Sequence, residues 1–456
     1  MSRLDHVDMP AFLSAHDSRK QVISVHFNPF KSLHTGENWN PILKDPPFEL
    51  SMPVPWAPDA YYLSSRPSFT LDPFFHAGCY YVQEASGMFL AFALKQVLDS
   101  NRNYRVLDLC AAPGGKSTLI QSLLPADSLL VSNETIKTRV PILAQNMTKW
   151  GGLNSVVSSN DPAHFKNLPG FFDVILVDAP CSGSGLFRKD PEAVEEWNTG
   201  HVHLCSQRQQ RILADAWDCL KEDGVLIYST CSYSKEENED VLDSVFQQFS
   251  CETVPVEPDP DWNIVSTVSD RAGAHGYRFY PDKLDGEGFF ISVLRKKKTL
   301  GEGGRAARFA RQKKPATGIS RQATELIKPW IHLDSIQLLS IEESFHAIPV
   351  DMQDDLEILR NCLYLKKAGV RIGKAGDRQW IPDHELALAS FLNRNIPRMQ
   401  LGKEDALRYL SGETTGFGGE ERGWQLMSFE GQQLGWAKLL NNRLNNYYPK
   451  SWRIRQ

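Results

Sequence analysis

The hydrophobic positions change period along the chain. Near the start, Val22-Ile-Ser-Val-His-Phe27 alternates as a strand does and stops at the turn signal Asn28-Pro29. Met88, Phe89, Phe92, Ala93, Leu94 and Val97 then recur at helical spacing within 83–99. From Arg105 to about Lys296, short β-branched runs alternate with amphipathic stretches. The runs are 105–110, 128–132, 155–158, 172–177 and 224–229; the helical stretches are 117–124, 137–150 and 201–220. A late strand pair is expected around 252–256 and 288–294. This alternation predicts an α/β fold, a doubly wound and mostly parallel sheet, which takes its ligands at the carboxyl ends of the strands.

With 456 residues the chain is long enough for about two or three domains. The pattern divides it into a small N-terminal α+β region (1–100), the sheet domain (101–296), a basic linker (297–325) and a C-terminal region (326–456). Hydrophobic residues make up 41% and charged residues 23%, which suits a chain that builds a core. No apolar run approaches the roughly 18–20 residues of a membrane span, and the N-terminus has no secretory pattern. A cytoplasmic protein without a membrane partner is expected. Eight cysteines include no Cys-x-x-Cys pair, so neither a metal site nor a disulfide framework is expected.

The net charge of −5 does not advertise a nucleic-acid partner, but it averages over an asymmetry. Between 295 and 328, Arg295, Lys296, Lys297, Lys298, Arg305, Arg308, Arg311, Lys313, Lys314, Arg321 and Lys328 face only Glu302 and Glu325. Strand candidates 423–429 and 433–437 are followed by Arg443-Leu-Asn-Asn-Tyr-Tyr-Pro-Lys450 and Trp452-Arg-Ile-Arg455. A bare linker and a half-buried strand edge are the plain readings. Cations that hold phosphates, interleaved with aromatics that stack bases, point instead to RNA.

Leu107-Asp-Leu-Cys-Ala-Ala-Pro-Gly-Gly-Lys-Ser-Thr118 ends like a phosphate loop. A phosphate loop needs glycine where this chain has Cys110, so a nucleotide hydrolase is disfavoured. The alternative is a cofactor turn: Cys110, Ala111, Ala112, Pro113, Gly114, Gly115 and Lys116 lead from a strand to a helix N-terminus, whose free amides and glycines admit a ligand. Glu134, about 20 residues after Gly114, follows the next strand, where a carboxylate binds ribose hydroxyls. The stretches Asp178-Ala-Pro-Cys181 and Ser229-Thr-Cys231 end two further strands at the same edge.

One chemistry uses a cofactor turn, an acid and two thiols together. Carbon 5 of cytosine is a poor nucleophile until a thiolate adds to C6, helped by a proton at N3 from an acid of raised pKa. The activated ring then attacks the methyl group of S-adenosyl-L-methionine, and a second thiol assists release. Taken singly, Cys181 or Cys231 is more often a packing residue and Asp178 a turn cap. The combination favours the chemistry.

The residues carrying this pattern resemble the NOL1/NOP2/Sun family of RNA cytosine-C5 methyltransferases. They are Gly78-Cys-Tyr-Tyr-Val-Gln-Glu84, 107–116, 178–191, Ser229-Thr-Cys231 and Gly286-Glu-Gly-Phe-Phe290. The resemblance implies a class I S-adenosylmethionine-dependent fold in 101–296, with Cys231 as nucleophile and Cys181 promoting product release. It further implies that residues 110–116 hold the cofactor, that Glu134 binds its ribose, and that Asp161 lies near the adenine. Asp178 would line the pocket with Lys116 orienting it. An RNA-binding N-terminal region, a PUA-like RNA-binding module near the C-terminus and a monomer acting on 16S RNA of the small subunit or its precursor also follow. His26 and Asp282 depart from the family pattern and bear on RNA contacts. A transfer-RNA methyltransferase and a non-catalytic ribosome-assembly factor are the rival readings.

Overall fold

The computed structural model describes residues 7–18, 20–31, 46–190, 192–298, 317–376, 379–393, 395–417, 422–441 and 443–455. Arg305, Arg308, Arg311, Lys313 and Lys314 of the basic linker, and Pro191, fall outside these residues.

Five parallel strands form the centre of the main sheet, in the order Leu220–Thr230, Phe172–Asp178, Arg105–Asp108, Leu129–Asn133, Ser155–Ser158. They are apolar and buried on both faces, as parallel strands covered by helices must be. Phe289–Lys296 adds antiparallel beside Leu220–Thr230, followed by His275–Phe279 and Val265–Val268. The expected partner of the late strand is Cys251–Thr253, which pairs with its far end. Strand order reverses between Arg105–Asp108 and its two neighbours, which opens a crevice at the carboxyl edge.

The helices follow their sequence signals. Val140–Trp150 has proline in its first turn, buries Val140, Leu143, Met147 and Trp150 at helical spacing, and stops at Gly151 with φ 83°. Thr199–Trp217 is capped by Asn198, whose side chain accepts from the His201 amide at 2.8 Å. Among the described residues no helix is long and apolar enough to cross a membrane.

The flanking regions are less separate than the hydrophobic pattern suggests. Leu50–Pro53, Ala60–Leu63, Ser24–Phe27 and Tyr80–Val82 form an antiparallel N-terminal sheet. Its Val25, Phe27 and Tyr80 share one core with Tyr409, Met427 and Tyr448 of the C-terminal region. The C-terminal region contains a five-stranded and a four-stranded sheet, the latter built around Gly423–Phe429 and Gln432–Leu439. One strand, Leu365–Ala368, leaves that region and pairs with Ser155–Ser158, extending the central sheet across the expected boundary at 326.

Candidate active site

Strand Arg105–Asp108 runs into the turn 109–114, and helix Gly115–Leu123 begins at once. Gly114 takes φ 117°, a conformation open to glycine and strained for other residues. A β-carbon on Gly115 would lie 3.1 Å from Tyr81 and 3.2 Å from Gln83, so the N-terminal region closes over the turn. The helix has no side-chain cap, which leaves first-turn amides for a ligand. Beneath the turn, Asp108 accepts from Ser117 Oγ at 2.6 Å through one oxygen, while its other oxygen is buried without a partner. Burial pushes its carboxyl up to about 7.

Glu134 lies at the end of the next strand, 4% exposed. The Ile136 amide donates to one of its oxygens at 2.8 Å and Arg139 stands 3.5 Å from the other. Arg139 also donates to the Ala112 carbonyl, which ties the glutamate loop to the glycine turn. Asp161 caps the short 3-10 helix Pro162–Asn167, accepting from the Ala163 amide at 3.0 Å. Its neighbour Asn160 is joined to Asn133 by two hydrogen bonds of 3.0 Å.

Across the crevice, Asp178 accepts from Lys116 Nζ at 2.7 Å and from Ser229 Oγ at 2.7 Å, one bond to each oxygen. Both oxygens of Asp178 are therefore engaged, one by an ammonium and one by a hydroxyl. Burial draws the Lys116 ammonium down, but the Asp178 charge and hydrogen bond outweigh it and the net shift is upward. The ammonium also lies 5.2 Å from the centroid of the Phe289 ring.

Cys181 and Cys231 meet with Sγ–Sγ 2.9 Å, both partly exposed. The hydrogen bond it shares with Cys231, with burial, holds the Cys181 thiol well above its ordinary value. Their loops are joined by Glu237, which nothing in the sequence singles out because it sits in a charged run. Fully buried, its carboxyl accepts from the Ser182 amide (2.7 Å), Ser182 Oγ (2.5 Å), Ser232 Oγ (2.5 Å) and Gln209 Nε2 (3.3 Å). Gly185 donates to the Cys231 carbonyl at 2.9 Å, and a β-carbon there would stand 2.4 Å from the Gly288 carbonyl. Arg188, from the same loop, is buried in a salt bridge to Glu287 at 3.0 Å, joining the 178–191 and 286–290 motifs.

The two departures from the family pattern differ in burial. His26 is 1% exposed, packed between Tyr81 and Trp150, and burial lowers it to about 3. It is a neutral core residue. Asp282 is half-buried, with one oxygen enclosed and unpartnered. At the C-terminal end Tyr448 is also core, at 2% exposure, whereas Tyr447 stays exposed against Trp424 with centroids 4.5 Å apart.

A parallel sheet of this order, with a glycine turn after Arg105–Asp108 and a carboxylate after the next strand, suits an adenosine-type cofactor, and matches to known families make the class that of the S-adenosylmethionine-dependent methyltransferases. The turn fits that donor through an open glycine cradle and uncapped first-turn amides. Comparison with known proteins narrows the class. Residues 95–295 match the family model described as 16S rRNA methyltransferase RsmB/F, 1–85 the N-terminal domain of 16S rRNA methyltransferase RsmF, and 397–454 the methyltransferase RsmF PUA domain. Ribosomal RNA small subunit methyltransferase F of Shewanella sediminis is 29% identical, covering 97% of this chain and 94% of that one. The counterpart from Aeromonas hydrophila is 29% identical over 87% and 84%. The solved structure of a methyltransferase homolog protein from Pyrococcus horikoshii is 29% identical with a TM-score of 0.51, covering 63% of this chain and 90% of that one. Along nearly its whole length the chain is thus similar to the RsmF-like 16S rRNA methyltransferases.

Proposed function

We propose that this enzyme methylates carbon 5 of cytosine in ribosomal RNA, with 16S RNA of the small subunit or its precursor as substrate. The observation that carries the reading is the meeting of Cys181 and Cys231, 2.9 Å apart, beside the Lys116–Asp178 pair. The names of the similar proteins support the choice of RNA.

In this reading residues 110–116 cradle the cofactor, Glu134 takes its ribose and Asp161 lies at its adenine end. The bound cofactor supplies an electrophilic methyl group. The target base leaves its stack to reach the crevice. Cys231 Sγ attacks C6, and the Lys116–Asp178 couple supplies the proton demand at N3 as the ring gains electrons. The activated C5 takes the methyl group, after which its proton must leave. Cys181 suits that step. Its sulfur lies 2.9 Å from that of Cys231, within reach of the ring carbon that neighbours the one Cys231 attacks. Cys181, once its own proton has passed to solvent, stands beside Cys231 to take the C5 proton as a thiolate, and Cys231 is expelled as the ring regains its double bond.

The test is methyl transfer from S-adenosylmethionine to unmethylated 16S RNA, free or in small-subunit particles, followed by nucleoside mass spectrometry. 5-Methylcytidine in 16S RNA is the expected product. Methylation of transfer RNA alone, or of another base, would contradict the proposal.

A further inference from the structure

Residues 363–368 belong by sequence to the C-terminal region, yet they complete the edge of the sheet beside the cofactor crevice. Leu365–Ala368 pairs antiparallel with Ser155–Ser158, and the Gly369 amide donates to the Ser155 carbonyl at 2.9 Å. Just before the strand, the Tyr364 backbone grips Asn160. The Tyr364 amide donates to Asn160 Oδ1 at 3.0 Å, and its carbonyl accepts from Asn160 Nδ2 at 3.2 Å and from the Ser159 amide at 3.0 Å.

Asn160 is 6% exposed and passes this contact inward. Its amide donates to Asn133 Oδ1 at 3.0 Å, and its carbonyl accepts from Asn133 Nδ2 at 3.0 Å and Thr135 Oγ1 at 3.3 Å. Asn133 Nδ2 also reaches the Leu109 carbonyl at 3.1 Å, and the Asn133 carbonyl accepts from the Ala111 amide at 2.8 Å. A hydrogen-bonded chain therefore runs from the C-terminal region to the glycine turn, passing the residues that precede Glu134 and Asp161.

The Tyr364 ring is a second, independent feature. It is 59% exposed, an open aromatic face at the end of the strand that leads to Asp161. Lys366 Nζ donates to its hydroxyl at 3.0 Å and lies 4.3 Å from the ring centroid, which fixes the ring in place. The Lys366 hydrogen bond and charge, with a smaller contribution from Lys137, draw the phenol below its ordinary value. Lys137 belongs to the loop that carries Glu134, and its neighbour Ile136 is 51% exposed. Ile136, on the loop of Glu134, and Tyr364, held by its backbone against Asn160 beside Asp161, are thus two open apolar groups at this edge.

We propose that the C-terminal region supplies the outer wall of the cofactor crevice, with the Tyr364 ring offered to the adenine face and Asn160 acting as a positioning residue for the loops of Glu134 and Asp161. This rests on the reading that the cofactor lies along residues 110–116, Glu134 and Asp161. Stacking on an exposed aromatic ring carries enough energy to change affinity by about tenfold or more. Cofactor affinity then depends on a segment outside the methyltransferase domain.

Calorimetry of the full chain with S-adenosylmethionine tests the proposal. Tyr364→Ala weakens binding by about tenfold, Tyr364→Phe recovers most of the loss, and Asn160→Ala weakens binding to a similar degree. In turnover assays the KM for S-adenosylmethionine rises for both alanine variants while kcat at saturating cofactor holds, a split that general destabilisation would not give. Glu134→Ala serves as the control for the crevice itself. If Glu134→Ala weakens binding but Tyr364→Ala and Asn160→Ala do not, the C-terminal wall is overturned and the crevice stands. If Glu134→Ala binds normally as well, the crevice assignment fails and the wall with it. Should Asn160→Ala not fold, the exposed Tyr364 decides alone.

Discussion

Cys181 and Cys231 are brought to a sulfur–sulfur distance of 2.9 Å by loops that follow two neighbouring parallel strands, Phe172–Asp178 and Leu220–Thr230. Register alone does not bring them so close. The buried carboxyl of Glu237 draws Ser182 and Ser232, the residues immediately after each cysteine, onto the same pair of oxygens. The two thiols differ in setting, because Cys181 precedes the Ser182 amide that Glu237 holds and Cys231 carries the carbonyl that accepts from Gly185.

Glu237→Leu leaves the buried Ser182 amide unpaired and removes the carboxylate acceptor of the Ser182 and Ser232 hydroxyls, at a cost of about 1–3 kcal/mol. Urea unfolding should show that loss, and methyl transfer should fall by more than the unfolded fraction explains. Unchanged activity in the folded variant would mean that the clamp does not set the cysteine geometry.

Lys116→Met leaves Asp178 with Ser229 as its remaining hydrogen-bond donor of the two. Single-turnover methyl transfer at saturating cofactor should slow by roughly 10²-fold or more, the range for loss of a proton-transfer group. A change within about threefold would remove the pair from the proton-transfer step.

Asp108 gives a pH signature. Burial raises its carboxyl to about 7, against an unfolded value near 4. Between those values the folded chain holds a proton that the unfolded chain has released. The contribution of Asp108 to stability is therefore complete below about pH 4 and is lost as pH rises towards 7. Asp108→Asn removes this dependence while keeping an acceptor for Ser117. In chemical denaturation from pH 4 to 8, the variant should gain on the parent up to about pH 7 and then run parallel to it. A constant difference across the range would contradict the assignment.

The centre of the fold is legible in the chain because buried parallel strands read as short continuous apolar runs; Ser155–Ser158 matches its predicted bounds there, as Gly423–Phe429 does in the C-terminal sheet. Val265–Val268 is less legible, since its burial alternates weakly and His275–Phe279 opens with His-Gly. Helix Glu239–Gln248 does carry a readable signal in Val241, Leu242 and Val245. Strand Leu365–Ala368 reads Leu-Lys-Lys-Ala, and only tertiary pairing reveals that it joins the central sheet. At the site, Lys116, Asp178, Cys181, Cys231 and Glu134 stand out because each follows or begins an element at one sheet edge. Glu237 does not, because a buried carboxyl within Lys-Glu-Glu-Asn-Glu-Asp looks like a solvated charge run. His26 misleads in the opposite sense: polar in the chain, it is enclosed by Tyr81 and Trp150.

The central claim is that Cys231 bonds to the target base and Cys181 lets it go. The most direct measurement is mass spectrometry of denatured protein after incubation with 16S RNA and S-adenosylmethionine. The account predicts that Cys181→Ala accumulates a covalent protein–RNA adduct mapping to Cys231, and that Cys231→Ala gives neither adduct nor 5-methylcytidine. Methylation by Cys231→Ala, or an adduct mapping to Cys181 in the unaltered protein, would contradict it.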